Sequence, residues 1–227
     1  MPIRTCIFDA YGTLFDVSAA ARLAAGEPGF DRLADTWSGV ARDWRLKQLQ
    51  YSWLRAITGA HTDFWEVTQN GLDWAMQAHG VSGAAIRDRL LQLYRELAAY
   101  PEVPEMLTRL KDMGLATAIL SNGSMDMLNS AITSAGIGDR LDAVLSVDAV
   151  GVFKPAAKVY DLVGERFVCT ADEVLFVSSN GWDAASAASY GFNVAWVNRR
   201  GDPVDQLPGR PHYVLSDLSE IPDLKVF

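Results

Sequence analysis

The chain has 227 residues, of which 49% are hydrophobic and 10% aromatic, enough for one large α/β domain or a core domain carrying a smaller insert. Its 20 Lys and Arg against 28 Asp and Glu leave a net charge of −8 with no Lys/Arg-rich run, which argues against nucleic acid or an anionic membrane surface as a partner. Two cysteines beside apolar segments, Cys6 and Cys169, no signal-peptide pattern before the first strand and no apolar stretch of membrane-spanning length together point to a soluble cytoplasmic protein with free thiols.

The first element is the apolar run Cys6-Ile7-Phe8, which reads as a buried strand and delivers a carboxylate, Asp9, at its C-terminal end. Gly12 breaks the strand, and Thr13 adds a hydroxyl beside the carboxylate. Ligands of open parallel sheets bind at the carboxyl ends of the strands, where an Asp is better suited to nucleophilic chemistry than to packing.

From about Asp16 to Ala99 there is almost no β signal. Asp31–Ile57, Thr62–His79 and Arg87–Leu97 carry apolar residues at helical spacing, and five of the seven tryptophans (Trp37, Trp44, Trp53, Trp65 and Trp74) fall in this block, where packing in a core or an interface explains most of them. After Tyr100-Pro101 helix and strand alternate. Helices at Val103–Met113, Met125–Ala135, Pro155–Phe167 and Ala184–Tyr190 precede apolar runs at Leu115–Leu120, Ala143–Val147, Val174–Val177 and Val194–Val197. Three of those helices stop at or near glycine, the punctuation of βαβ units, and the unbroken apolar runs suit parallel strands buried on both faces. A tail from Arg199 with four prolines reads as loop plus an edge strand at Tyr213-Val214-Leu215. The predicted architecture is α/β: a doubly wound parallel sheet from residues 1–15 and 99–227, with residues 16–98 as a helical insert.

The strand ends carry polar groups. Leu115–Leu120 is followed by Ser121-Asn122-Gly123, and Val174–Val177 by Ser178-Ser179-Asn180-Gly181-Trp182-Asp183, while Phe153-Lys154-Pro155 brings a lysine to a helix start. Each has an ordinary structural explanation. Ser-Asn-Gly is loop chemistry with Ser124 as a helix cap, Pro suits a first helical position, and Asp183 suits a helix N-terminus. Their falling in order at successive strand ends beside Asp9 is what makes them a site.

These segments resemble the four motifs of the haloacid dehalogenase superfamily, through Asp9 with Thr13, then Ser121, Lys154 and Asp183, and the insert resembles its helical cap on a Rossmann-like core. FDAYGTLFD, WRLKQLQY, ILSNGS, SVDAVGVFKP and FVSSNGWD bring the chain nearest to the L-2-haloacid dehalogenases. Superfamily phosphatases carry Asp-x-Asp-x-Thr, and their second Asp protonates the leaving alkoxide; Tyr11 stands in its place. A halide leaves without a proton. Those phosphatases also hold Mg²⁺ through an acidic pair, and Ser179 replaces its first member.

The resemblance therefore implies hydrolysis of short L-2-haloalkanoic acids to D-2-hydroxyalkanoic acids, with a halogenated carboxylic acid and water as the reacting partners and no metal or cofactor. It implies Asp9 as nucleophile oriented by Thr13, and Lys154, supported by Tyr160, as the cation that stabilises developing negative charge. It implies Asp183 as water-activating base oriented by Ser178 and Asn180, Ser121 as donor to the substrate carboxylate, and Arg45 with Asn122 as halide cradle. Tyr11, Leu49, Phe64 and Trp182 are the implied apolar walls. Family habit and the aromatic-rich insert suggest a homodimer. Two alternatives stay open: a Mg²⁺-dependent phosphatase of a small phosphorylated metabolite, and a catalytically silent scaffold acting through its helical insert. His61, His79 and His212 stand alone in the sequence and receive no role.

Overall fold

The apolar runs form six parallel strands in the computed structural model, which describes residues 2–227. They are β1 (Thr5–Phe8), β2 (Ala116–Ser121), β3 (Ala143–Ser146), β4 (Val174–Ser178), β5 (Asn193–Val197) and β6 (Tyr213–Leu215), in the order β3-β2-β1-β4-β5-β6. β1 and β4 are buried along their whole length, as strands covered by helices on both faces must be. Phe8 is level with Ile119 of β2 on one side and Val177 of β4 on the other. The chain leaves β1 toward β2 and β3, then returns to its other side as β4. β1 therefore lies at the topological switch point, where the helices diverge and a crevice opens above the strand ends.

Helices α1 (Ala19–Ala24), α2 (Asp31–Thr58), α3 (Phe64–Ala78) and α4 (Ala84–Arg95) separate β1 from the rest of the sheet. The chain departs and returns at one place: Phe15 bridges Ala99, and Tyr100 N donates to Leu14 O at 2.9 Å. α2 packs along α3, with Gly71 at the point of closest approach, where a Cβ would lie 3.2 Å from the Gln48 nitrogen and 3.3 Å from the Trp44 carbonyl oxygen. Trp44 is buried there and donates from Nε1 to Thr68 O at 2.8 Å. The remaining helices are α5 (Val103–Asp112), α6 (Met125–Ala135), α7 (Ala157–Phe167) and α8 (Gly181–Tyr190).

Four local features differ from the sequence expectations. α1 carries no polar alternation, because its buried face is made of alanines, and so gave no periodic signal. Pro155 follows a cis peptide bond and precedes the helix, which starts two residues later at Ala157. Ser124 sits at the N-cap of α6 but its hydroxyl caps nothing; the Asp148 carboxylate accepts from Met125 N instead, at 2.9 Å. α8 begins at Gly181, three residues earlier than expected, so Trp182 and Asp183 belong to its first turn. No helix among the described residues is long and apolar enough to cross a membrane.

Candidate active site

Asp9 follows the last residue of β1, and its backbone N–H still donates to Val177 O at 2.9 Å, so the carboxylate is fixed to the sheet edge. Three donors reach the side chain. Lys154 Nζ is 3.2 Å from Oδ1, while Oδ2 accepts from Asn180 Nδ2 at 2.8 Å and from the Thr13 hydroxyl at 3.1 Å. Thr13 is itself held by the Ser179 N–H, which donates to it at 2.8 Å. With 6% exposure, Asp9 is buried.

Lys154 is 1% exposed and bridges two carboxylates, lying 2.9 Å from Asp183 Oδ2 as well as 3.2 Å from Asp9. Burial alone would lower its pKa, but the charges of Asp183 and Asp9 outweigh that, so its pKa is raised and the ammonium is retained. Asp183 has no exposed surface. Burial raises its pKa above the ordinary 3.8, and the nearby Asp9 charge adds to this against the attraction of Lys154. A carboxylate of raised pKa is the stronger base, which suits proton abstraction from water. Its two side-chain hydrogen bonds come from Lys154 and from the Tyr160 hydroxyl at 2.8 Å. Ser178 and Asn180 do not hydrogen-bond the Asp183 carboxylate: the Ser178 hydroxyl accepts from Asn180 N at 3.1 Å, the Asn180 carboxamide turns to Asp9, and the Asn180 carbonyl accepts from the Asp183 backbone N–H at 3.0 Å. The reason is α8, whose first turn carries Asp183 inward and leaves Asn180 at the N-cap, facing β1.

Arg45 comes from the insert. Located on α2, it sends Nη2 into the sheet end, 3.1 Å from Tyr11 O and 3.2 Å from Asn180 Oδ1. Asn180 thus links the cation of α2 to the carboxylate of β1. Tyr11 is 2% exposed, its ring stacked on Tyr94 at 5.7 Å and tilted against Phe64 at 6.2 Å, and burial holds its phenol well above the usual range. It stays neutral, and as an apolar wall it approaches Gly123 so closely that a Cβ there would lie 2.7 Å from Tyr11 Cε2. Ser121 is buried and accepts from Gly123 N at 3.1 Å, which leaves its own proton to donate. The Asn122 carboxamide oxygen accepts from Lys154 N at 2.8 Å, tying β2 to the lysine segment.

A cleft of about 700 Å³ runs from Arg45, Leu49, Asn180 and Trp182 out to Arg199 and the loop near Pro203. Trp182 stands edge-on to Trp53 of α2 at 5.3 Å. Phe64 is buried between Tyr11 and Phe153, at 6.2 and 5.8 Å. Sequence reasoning missed Tyr94, Phe153, Gln48 and Arg199. Arg199 lies over the Tyr100 ring at 3.8 Å and pairs with Glu102 at 2.7 Å. Their contacts cross up to 186 residues, and no local pattern marks them. The three histidines lie outside the cluster: His79 pairs with Asp43, His212 Nδ1 accepts from Val194 N, and His61 packs on Phe153.

The positions where superfamily phosphatases hold Mg²⁺ do not fit a metal in this chain. Ser179 supplies no negative charge, and the two remaining carboxylates, Asp9 and Asp183, are bridged by an ammonium.

The family model of the haloacid dehalogenase-like hydrolases matches residues 3–191. The chain is 41% identical over 224 residues to (S)-2-haloacid dehalogenase 1 of Pseudomonas sp. (strain CBS-3), covering 98% of this chain and 96% of that protein. A crystal structure of a dehalogenase superposes with a TM-score of 0.93 at 37% identity, covering 98% and 97% of the two chains. The L-2-haloacid dehalogenase from Xanthobacter autotrophicus with chloropropionic acid covalently bound superposes with a TM-score of 0.85, again at 37% identity and 98% of each chain. The chain therefore belongs to the haloacid dehalogenase-like hydrolases and, among them, to the family of (S)-2-haloacid dehalogenases.

Proposed function

We propose that this enzyme hydrolyses short L-2-haloalkanoic acids to D-2-hydroxyalkanoic acids through an ester on Asp9, with inversion and without a metal. The observation that carries this reading is Asp9 itself, a carboxylate aimed by three donors, Thr13 in the turn after β1, Asn180 at the N-cap of α8 and Lys154, with the Arg45 guanidinium within one side chain of it. In the first step an Asp9 oxygen attacks the α-carbon opposite the halogen. A C–O bond forms, the carbon–halogen bond breaks, and the halide leaves with the bonding pair toward Arg45 and the Asn122 amide. Ser121 and backbone N–H groups near Tyr11 and Asn122 hold the substrate carboxylate, and Tyr11, Leu49, Phe64 and Trp182 exclude water. In the second step water attacks the Asp9 carbonyl carbon and Asp183 takes its proton. Collapse expels the alkoxide, which takes the second water proton to become the hydroxy acid, restores the Asp9 carboxylate and leaves the proton on Asp183 to return to solvent, with Lys154 balancing charge throughout. One displacement at the carbon inverts it once.

Residues 16–98 act as the cap that supplies Arg45, and residues 1–15 and 99–227 as the catalytic core, a division supported by the Phe15–Ala99 bridge. The two free cysteines suit work in the cytoplasm. The exposed Leu46, Leu54 and Ile57 of α2 and Trp74 of α3 suit a homodimer.

Halide release from L- and D-2-chloropropionate, each with excess EDTA, tests the reading. Chloride from the L form alone, undiminished by EDTA, is expected. Release from both forms, or loss of release with EDTA, refutes it.

A further inference from the structure

We propose that Gln48 positions the Arg45 guanidinium for the departing halide, through a directed hydrogen-bond chain anchored on the backbone of α3; the inference rests on the reading of Arg45 as the halide group. Gln48 lies three residues after Arg45 on α2, so the two share a face of the helix. It is 1% exposed and its neighbours Thr68 and Tyr94 are equally enclosed. A buried carboxamide must find partners at both ends, and here each end has only one fitting orientation.

The Thr68 hydroxyl donates to Phe64 O at 2.8 Å. Having spent its one proton, it can only accept, and Gln48 Nε2 donates to it at 2.7 Å. That fixes the carboxamide with Oε1 toward Arg45, whose Nη1 donates to it at 2.7 Å. A guanidinium has no acceptor, so the arginine demands the same orientation that Thr68 imposes. Tyr94 closes the arrangement, its hydroxyl 3.1 Å from Gln48 Nε2 and 3.2 Å from Oε1, and its ring packed on Tyr11 and Trp44.

Arg45 is consequently held at two nitrogens, Nη1 by the insert and Nη2 by Tyr11 O and Asn180 Oδ1 at the sheet end. Packing α2 on α3 does not need this. Apolar side chains at positions 48, 68 and 94 together would fill the same space without this buried polar network to satisfy. What the chain provides is a guanidinium whose plane is set before charge develops on the leaving group, the condition under which a fixed cation stabilises a transition state most.

The test compares kcat/KM for L-2-chloropropionate and L-2-bromopropionate, and inhibition by bromide, in Gln48→Met, Tyr94→Phe and Arg45→Lys. Chloride is the poorer leaving group and depends more on its cradle. Gln48→Met is expected to lose about tenfold more on the chloro than on the bromo substrate and to weaken bromide inhibition about tenfold, with Tyr94→Phe shifting both less in the same direction. Equal losses on the two substrates with unchanged bromide inhibition overturn the proposal, because a merely structural residue would act on both alike. Should Gln48→Met fail to melt cooperatively, Tyr94→Phe decides by the same readouts. If Arg45→Lys also shows no dependence on the leaving group, the reading of Arg45 fails; if Arg45→Lys shows it and the Gln48 and Tyr94 variants do not, the positioning role alone fails.

Discussion

Each reactive side chain is specified by what donates to it. Asp9 takes hydrogen bonds from Lys154, Asn180 and Thr13, an arrangement that orients its oxygens. Replacing it with Asn removes the proposed nucleophile and should lower halide release by at least about a thousandfold while the fold persists, measured as chloride per enzyme. In the proposed mechanism Asp183 and Lys154 set the pH range. The base must be deprotonated, so ester hydrolysis should rise with pH through a pKa above the ordinary 3.8 of Asp. The lysine must stay protonated, so activity should fall only above the ordinary 10.5 of Lys, since its pKa is raised. The Tyr160 hydroxyl favours the charged form of Asp183. Tyr160→Phe should therefore move the acid limb upward and slow turnover at the acidic side, read from single-turnover pH profiles; an unmoved limb would remove Asp183 from the water-activating role. Asp9, Thr13, Lys154 and Asp183 were visible in the sequence because motif order and strand ends coincide. Gln48 and Tyr94 were not, because 46 residues separate them and either, taken alone, is an ordinary residue of an amphipathic helix.

At the scale of elements, strand ends and helix starts carry the chemistry. The strands were legible because parallel strands buried on two faces are unbroken apolar runs, and Val174–Val177 needed only one more residue to become β4. Helix boundaries were less so. Asn180-Gly181-Trp182-Asp183 has the composition of a loop, and tertiary contacts from β1 and α7 pull it into the first turn of α8. The loop after β2 carries the tightest steric condition. Gly123 must lack a side chain, since a Cβ would meet Tyr11 Cε2 at 2.7 Å and its hydroxyl oxygen at 3.1 Å. Gly123→Ala should displace Tyr11 from its stack on Tyr94, with a cost of about 1–3 kcal/mol and a melting temperature lower by a few degrees, together with reduced turnover. An unchanged melt and activity would show that Tyr11 moves freely.

The whole molecule brings a helical insert onto the crevice at the switch point of a parallel sheet. Arg45 reaches the core only because α2 runs the length of the insert and returns its cation to Tyr11 and Asn180. The charges gathered there, Asp9 and Asp183 against Lys154 and Arg45, cancel, so an anionic substrate meets no local surplus of negative charge despite the overall −8. The exposed Leu54 and Ile57 on the outer side of α2 are expected to pair two copies, and light scattering should give about twice 24.8 kDa; a mass of 24.8 kDa would reject the pairing. The central claim, an ester on Asp9, is tested most directly by a single turnover of L-2-chloropropionate with enzyme in excess in ¹⁸O-labelled water. Attack of water on the Asp9 carbonyl carbon predicts the label in Asp9 and an unlabelled hydroxy acid. Label in the hydroxy acid after that first turnover, with Asp9 unlabelled, would mean that water attacks the substrate directly and would contradict the account.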